Sequence, residues 1–212
     1  PVGSAATDVA KDSQYYDAVN FLKTKGIKGF PDGTFKPYQT INRVQAAEML
    51  VKVLDLDVKT APASGFKDVP ERAVPYVNAL KAAKITNGKA ADRFGSNDSI
   101  TRGELAIWID RAFDLKNPGV DLAFKDVGER YEDAVKSLVA NGVTKGKTAE
   151  LFATDATATR GEFALFLQRA NTVKESVDVT LSLMHTNDTH ANLDNVAKRV
   201  TAVNEVRAAK PD

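Results

Sequence analysis

Three arginines stand at the same place in three similar pentapeptides, and the arginine side chain is suited to bind a carboxylate or a phosphate. The pentapeptides are Ile41-Asn42-Arg43-Val44-Gln45, Ile100-Thr101-Arg102-Gly103-Glu104 and Ala158-Thr159-Arg160-Gly161-Glu162. In each, Asn or Thr is followed three residues later by Gln or Glu, the capping-box pattern that predicts a helix start. A cation in the first turn is disfavoured by about 0.3–1 kcal/mol, because the helix dipole is already positive there. An anionic ligand beside each arginine would explain the repetition.

Apolar residues at positions i, i+3, i+4 and i+7 predict two helices in each unit. A glycine-containing turn follows the first helix, and the capped arginine begins the second. The apolar faces of the first helices are predicted at Tyr15, Ala18, Val19 and Leu22, at Tyr76, Ala79, Leu80 and Ala83, and at Tyr131, Ala134, Val135 and Leu138. The pattern predicts a mainly α fold of three helix–loop–helix units with one shared core, since one helix pair alone buries little apolar surface.

Two hypotheses explain the arginines. In the first, Arg43, Arg102 and Arg160 build three grooves in which the guanidinium and the unpaired N–H groups of the helix start receive an anion. Three weak sites on one rigid body would bind a repetitive polymer with avidity. In the second, each arginine pairs with a carboxylate inside the fold, such as the aspartate of a Phe-x-Asp-Val segment. An aspartate that orients the arginine would make the two hypotheses compatible.

Composition excludes several classes of function. The chain has 29 basic and 28 acidic residues, for a net charge of +1, which argues against binding nucleic acid through bulk charge. No apolar run approaches the roughly 20 residues of a membrane-spanning helix. Cysteine is absent, which excludes disulfides and thiolate metal sites. No histidine precedes His185, and the repeated part shows no paired catalytic residues.

The pattern changes after Ala170. Residues 172–178 are polar and typical of a linker. Alternation of apolar and polar residues over 177–183 predicts a strand, and the pattern over 193–209 predicts a helix. Such a strand–loop–helix fragment is typical of the first step of an α/β domain.

The repeated motifs resemble those of surface-layer homology (SLH) repeats. Their Phe-x-Asp-Val starts lie at 66–69 and 124–127, and their Thr-Arg-Gly-Glu closes at 101–104 and 159–162. The resemblance implies a pseudo-threefold helical spindle on a secreted protein of a Gram-positive cell wall or S-layer. It also implies non-covalent binding of secondary cell-wall polysaccharide whose terminal N-acetylmannosamine carries a pyruvate ketal. The SLH repeats expected from it span 1–58, 59–115 and 116–171. The change of pattern after Ala170 adds a linker expected at 172–178 and the truncated start of a further domain expected at 179–212.

The resemblance also implies which residues contact the glycan. Unit one departs from the family pattern, because Ala6 replaces the opening phenylalanine and Asn42 and Gln45 replace threonine and glutamate. No cofactor is implied for the repeats, and we expect the chain to be monomeric. The implied ligand-binding residues are the arginines Arg43, Arg102 and Arg160, the aspartates Asp8, Asp68 and Asp126, and the glycines Gly29, Gly88 and Gly146.

The run His185-Thr186-Asn187-Asp188-Thr189-His190 resembles the opening motif of the 5′-nucleotidase type of metallophosphoesterase. The resemblance implies that Asp188 and His190 ligate one ion of a divalent metal pair in the complete enzyme domain. From the pattern alone, a polar loop with surface histidines is the alternative. Since the family's later motifs are not in the chain, we expect no catalytic residue and no phosphatase activity here.

Three functions therefore compete. The leading prediction is a non-catalytic glycan-binding module that anchors a surface protein to the wall. The second is a fragment of a surface-anchored phosphoesterase. The third is a structural element of a self-assembling lattice.

Overall fold

The structure is a computed structural model that describes residues 6–186 and Asp212. Among these residues, β pairing is limited to isolated bridges. The predicted mainly α fold of three helix–loop–helix repeats is confirmed. Repeat one contributes α1 (Tyr16–Thr24) and α2 (Arg43–Leu54), repeat two contributes α3 (Val74–Ala82, after a 3-10 turn at Glu71–Ala73) and α4 (Arg102–Phe113), and repeat three contributes α5 (Glu129–Ala140) and α6 (Arg160–Thr186).

The closest helix pairs join different repeats. α1 packs on α6, α3 on α2 and α5 on α4, while α6 also contacts α2 and α4. The first helix of each repeat therefore lies against the second helix of the repeat before it in the ring. The buried apolar residues of all three repeats form one core, so each repeat depends on its neighbours to cover its apolar face.

Three short segments that precede the second helices meet at the centre of the molecule. The Ile41 N–H donates to the Ala158 carbonyl (3.1 Å), the Ala158 N–H to the Ile100 carbonyl (2.8 Å), and the Ile100 N–H to the Ile41 carbonyl (3.0 Å). All three residues are fully buried, where an unpaired backbone group would be costly. This closed cycle of hydrogen bonds marks the pseudo-threefold axis.

Side-chain sizes are matched where the helices of neighbouring repeats meet. A Cβ added to Gly103 would lie 2.9 Å from the Tyr131 ring, and one added to Gly161 would lie 2.8 Å from the Tyr15 ring. In the interface between α2 and α3, Val44 stands at the glycine position and Ala73 at the tyrosine position, and both are buried. A larger residue on one helix thus accompanies a smaller one on the other, as close packing requires. The matched residues are Gly103 with Tyr131, Gly161 with Tyr15, and Val44 with Ala73.

The predicted apolar face of the first helix in repeat two is wrong in its register. Ala83 is exposed, whereas Ala73 and Val77 are fully buried. Aligning the repeats by their tyrosines places Tyr76 at the position of the tyrosines in the other two repeats. Packing instead aligns the buried leucine near the end of each helix, Leu80 in repeat two, and this puts Ala73 at the tyrosine position.

The linker expected over 172–178 and the strand expected over 177–183 are both helical, because α6 continues to Thr186. α2 and α4 end at Asp55 and Asp114, which adopt the left-handed conformation with φ of 52° and 47°. Thr172 occupies the corresponding position of α6, and a β-branched residue is strongly disfavoured in that conformation. The helix therefore lacks the stop signal that ends its two counterparts.

The helix expected over 193–209 and most of the domain expected over 179–212 lie outside the described residues. Within the part of the chain that is described, no helix is long and apolar enough to cross a membrane.

We expect Gly103→Ala to destabilise the fold by about 1–3 kcal/mol, because the methyl group meets the Tyr131 ring in a packed interface. In an open helix the same change stabilises by about 1 kcal/mol, so a loss requires the clash to dominate. Gly128→Ala is the matched control, since Gly128 has a φ of −75° and open space around its Cβ position. Urea unfolding measures both variants, and a Gly103→Ala protein as stable as the parent would contradict this packing.

Candidate ligand-binding junctions

Each second helix begins with the predicted capping box. In α4, Thr101 Oγ1 accepts from the Glu104 N–H (3.1 Å), and the Glu104 carboxylate accepts from the Thr101 N–H (3.4 Å). The same reciprocal pair forms in α2 and α6, and in α2 asparagine and glutamine take the two roles. The sequence departures of repeat one therefore leave its helix start intact.

The first two N–H groups of each second helix are hydrogen-bonded to the next repeat. In α2, Arg43 donates to the Asp98 carbonyl (2.9 Å) and Val44 to the Ser96 carbonyl (3.2 Å). The expectation that these N–H groups receive an anion is wrong, because carbonyl oxygens of the neighbouring repeat accept them. The acceptors for α4 and α6 are the carbonyls of Ala156, Thr154, Gln39 and Pro37.

Each arginine side chain crosses into the next repeat, where Nε donates to the carbonyl of a loop phenylalanine. All three are at least 95% buried, and their guanidinium groups lie within about 5 Å of the ring of that phenylalanine, a cation–π arrangement. The arginines therefore connect the repeats. We call these contacts the first junction (Arg43 with Phe94, 2.8 Å), the second junction (Arg102 with Phe152, 2.8 Å) and the third junction (Arg160 with Phe35, 2.7 Å).

A glutamate neutralises the arginine in two junctions. Glu104, which caps α4, pairs with Arg43 at 2.5 Å, and Glu162, which caps α6, pairs with Arg102. The hypothesis of a carboxylate partner inside the fold holds for these two arginines. The partner is the capping glutamate rather than the aspartate of Phe-x-Asp-Val.

The motif aspartates hold the loops that present the phenylalanines. Asp68 accepts from the N–H groups of Phe94 and Gly95, both at 2.7 Å. Burial raises the pKa of Asp68, but these backbone hydrogen bonds outweigh it and keep the pKa below its ordinary value. Asp126 does the same for Phe152, and Asp8 accepts from the Phe35 N–H at 2.8 Å. Asp8, Asp68 and Asp126 therefore hold the loops whose phenylalanine carbonyls accept from the arginines.

The central glycines lie in turns that exclude a side chain. Gly29, Gly88 and Gly146 have φ of 81°, 75° and 87°, a conformation that favours glycine. A Cβ on Gly88 would lie 2.4 Å from the Phe66 ring, and one on Gly146 would lie 2.3 Å from the Phe124 ring. The opening phenylalanines of repeats two and three therefore pack against these turns.

A carboxylate is held at the first junction. The Asp212 carboxylate accepts from Arg43 Nη2 (3.0 Å), Arg111 Nη1 (2.7 Å) and the Thr86 hydroxyl. It also accepts from the N–H groups of Asn87 (2.8 Å) and Gly88 (3.0 Å) in the central turn. Asp212 is 4% exposed. Two guanidinium groups, one hydroxyl and two backbone amides thus converge on one carboxylate.

The sequence prediction missed Thr86 and Arg111. Both have counterparts in repeat three, at the same distances from the capped arginine and the central glycine. Thr144 Oγ1 accepts from the Gly146 N–H (3.0 Å) as Thr86 Oγ1 does from the Gly88 N–H (3.0 Å). Arg169 Nη1 donates to the Val143 carbonyl (3.1 Å) as Arg111 Nη1 does to that of Ile85 (3.0 Å). The repetition of this threonine and this second arginine is a signal that could have identified them.

Asp188 and His190, the predicted metal ligands, lie outside the described residues. Among the residues that are described, no group of three or more His, Cys, Asp or Glu side chains is placed to hold a metal ion.

Acid should weaken the fold through the carboxylates whose pKa is lowered. Burial raises the pKa of Glu162, but the Arg102 charge, the hydrogen bonds from Thr159 and the Lys147 charge together lower it. A carboxylate whose pKa is lowered on folding stabilises above its unfolded pKa, about 4.3 for Glu, and loses that effect as pH falls through the folded value. We expect unfolding free energy to decline below about pH 5.

Glu162→Gln tests this dependence, because glutamine serves as a cap at the same position of α2. We expect it to lower stability at pH 7 by about 1–3 kcal/mol and to reduce the decline between pH 5 and pH 3. Glu150→Gln is the control, since that side chain is 65% exposed in its ion pair. Urea titrations across this range measure both, and pH profiles of equal steepness for parent and Glu162→Gln would contradict the assignment.

The three repeats match a known family. The sequence model of the S-layer homology domain matches residues 7–47, 65–106 and 123–164, more than half of the chain. These segments contain the capped arginines, the motif aspartates and the central glycines described above.

Several bacterial proteins are similar to this chain in sequence. The surface-layer 125 kDa protein of Lysinibacillus sphaericus is 35% identical over 193 residues, which cover 85% of this chain and 16% of that protein. An uncharacterized cell wall amidase of Bacillus anthracis is 29% identical over 177 residues (79% and 32%). A cellulosome-anchoring protein of Acetivibrio thermocellus is 29% identical over 159 residues (68% and 35%). The chain spans about a third or less of the length of these relatives. It belongs to the S-layer homology domain family, as its motifs predicted.

Proposed function

We propose that this chain anchors a surface protein to the cell wall by binding carboxylate groups of a secondary cell-wall polysaccharide at its junctions. The observation that carries the proposal is the set of five donors around Asp212. The Asp212 oxygens stand in for the carboxylate oxygens of a pyruvate ketal on a terminal N-acetylmannosamine. A ligand carboxylate would take the same hydrogen bonds.

The donor set favours a carboxylate over a neutral sugar. A hydrogen bond to a charged group is worth about 1.5–3 kcal/mol, and the first junction offers donors from Arg43, Arg111 and the Thr86–Gly88 turn. A sugar hydroxyl accepts at most two hydrogen bonds and carries no charge, so it would leave some of these five donors unpaired, which costs free energy. The donor set therefore favours a ligand that carries a carboxylate, such as the pyruvate ketal.

The second junction has the same chemistry, with Arg102, Arg169, Thr144 and Gly146 in the corresponding roles. Two such sites on one rigid body give avidity for a polymer that carries several ketals. Non-covalent anchoring then needs only moderate affinity at each site.

Family membership and the surface-layer and cellulosome-anchoring relatives support cell-wall anchoring. The Bacillus and Lysinibacillus relatives likewise support a location in the wall or S-layer of a Gram-positive bacterium. The near balance of 29 basic and 28 acidic residues favours a local carboxylate site over a diffuse polyanion surface.

Removing the junction donors while sparing the arginines that connect the repeats tests the proposal. We expect Thr86→Val with Arg111→Gln to weaken binding to isolated pyruvylated polysaccharide about tenfold or more, since two charge-assisted contacts are lost. Thr144→Val with Arg169→Gln should do the same at the second junction. Sedimentation of the chain with purified wall polysaccharide measures the effect.

The control is Arg72→Gln, which removes the same charge from an arginine that is 69% exposed. Asp212→Ala should strengthen binding, because the internal carboxylate no longer competes. Equal binding by a de-pyruvylated glycan, or by the folded variant lacking donors at both junctions, would contradict the proposal.

A second proposal concerns any longer protein that carries this chain. The run from His185 to His190 supports a parent that is a metal-dependent phosphoesterase held at the surface. A relative described as a cell wall amidase carries similar repeats. We expect nucleotide hydrolysis with added divalent metal from the longer protein, none from this chain, and loss of activity on Asp188→Asn. Hydrolysis by this chain well above background would contradict the expectation.

A further inference from the structure

The third junction has a shorter central turn than the other two. In repeat one the Ile27 N–H closes the end of α1 and the Phe30 N–H donates to Thr34. Ile85 and Lys89 make the corresponding hydrogen bonds in repeat two, and repeat three has the same hydrogen bonds as repeat two. Repeat one thus lacks one residue, and its turn has no threonine. The residues between the two donors are 28–29 in repeat one, 86–88 in repeat two and 144–146 in repeat three.

The shorter turn places an aromatic ring over the arginine. The Phe30 ring lies 4.6 Å from the Arg160 guanidinium, and the Phe35 ring lies at the same distance. The equivalents of Phe30 are Lys89 and Lys147, which pair with carboxylates. Arg160 is therefore stacked against two rings of repeat one. Phe30 directly follows the turn of repeat one that is equivalent to the carboxylate-binding turn of repeat two.

The second helix of repeat one, α2, also differs from α4 and α6, at the position whose ring stacks on an arginine. Trp108 and Phe166 provide the second ring for Arg43 and Arg102, but Met49 stands at this position in α2. Phe30 supplies the missing ring from the other side. In the third junction the second ring beside the arginine thus comes from the turn, whereas in the other two junctions it comes from the helix.

The third junction also lacks the glutamate and the second arginine that the other two junctions share. Gln45 stands where Glu104 and Glu162 pair with their arginines, and Lys52 stands where α4 and α6 carry the second arginine. The Lys52 amine lies 5.8 Å from the Tyr76 ring centre, over repeat two. Burial lowers the pKa of Arg160, and the Asp8 charge only partly offsets this.

We propose that the third junction is closed by Phe30 and serves to hold the ring of repeats together, so that the chain binds two glycan carboxylates, at the first and second junctions. This rests on the proposed function. Arg160 becomes a structural cation stacked between two rings, and the polymer is held through Arg43 and Arg102 alone.

Calorimetric titration with the pyruvylated monosaccharide tests the number of sites. All variants in this titration carry Asp212→Ala, so that the internal carboxylate does not occupy the first junction. Asp212→Ala alone should bind two molecules, and the addition of either Thr86→Val with Arg111→Gln or Thr144→Val with Arg169→Gln should leave one. The variant that combines all four changes should bind none. Three sites in the first protein, or one remaining in the last, would overturn the proposal. No binding by any protein would instead contradict the proposed function.

Stability gives a measurement that needs no glycan. We expect Phe30→Leu to lower the folding equilibrium constant about tenfold, because Arg160 loses a stacked ring. Lys89→Leu and Lys147→Leu at the equivalent positions should have smaller effects, since each removes an ion pair whose lysine is 30% or 50% exposed, and such pairs contribute little. An effect of Phe30→Leu no larger than theirs would overturn the structural role of the third junction.

Discussion

The buried arginine at each junction is the contact on which the rest of the structure depends. Its Nε donates to a phenylalanine carbonyl of the next repeat, and the backbone N–H groups of its helix start donate to the same repeat. Three such contacts close the ring around the hydrogen-bonded cycle of Ile41, Ala158 and Ile100. Because neighbouring repeats also share helix pairs, loss of one junction exposes the core of two repeats.

An arginine at a helix start is electrostatically unfavourable, and the fold offsets this with local partners. Stacked aromatic rings and, in two junctions, a capping glutamate surround the guanidinium. Lysine could not replace it, because the guanidinium donates in several fixed directions at once. In the first junction Nε holds the neighbouring repeat, Nη1 holds Glu104 and Nη2 holds the Asp212 carboxylate. One side chain thereby holds the neighbouring repeat and, in the proposed function, would also bind the ligand carboxylate.

The sequence predicted what depends on local chemistry. The capping boxes, the helix starts at Arg43, Arg102 and Arg160, and the glycine turns follow from short-range preferences. The packing of helices from different repeats against one another could not be predicted, because an apolar face shows that a helix is buried but not which helix covers it. For the same reason, the pattern alone puts Ala83 in the core and leaves the first N–H groups of the helices available to a ligand, and the structure contradicts both. The strand predicted over 177–183 is wrong because alternation in a short segment does not outweigh the continuation of a helix that lacks a stop residue.

A crystal structure with the pyruvylated monosaccharide would show which group of the sugar these junctions hold. We expect the ketal carboxylate between Arg43, Arg111 and the turn of Thr86 and Gly88, in place of the Asp212 carboxylate. We expect a second carboxylate beside Arg102 and Arg169. A bound sugar whose carboxylate faces solvent while its hydroxyl groups contact these donors would contradict carboxylate recognition.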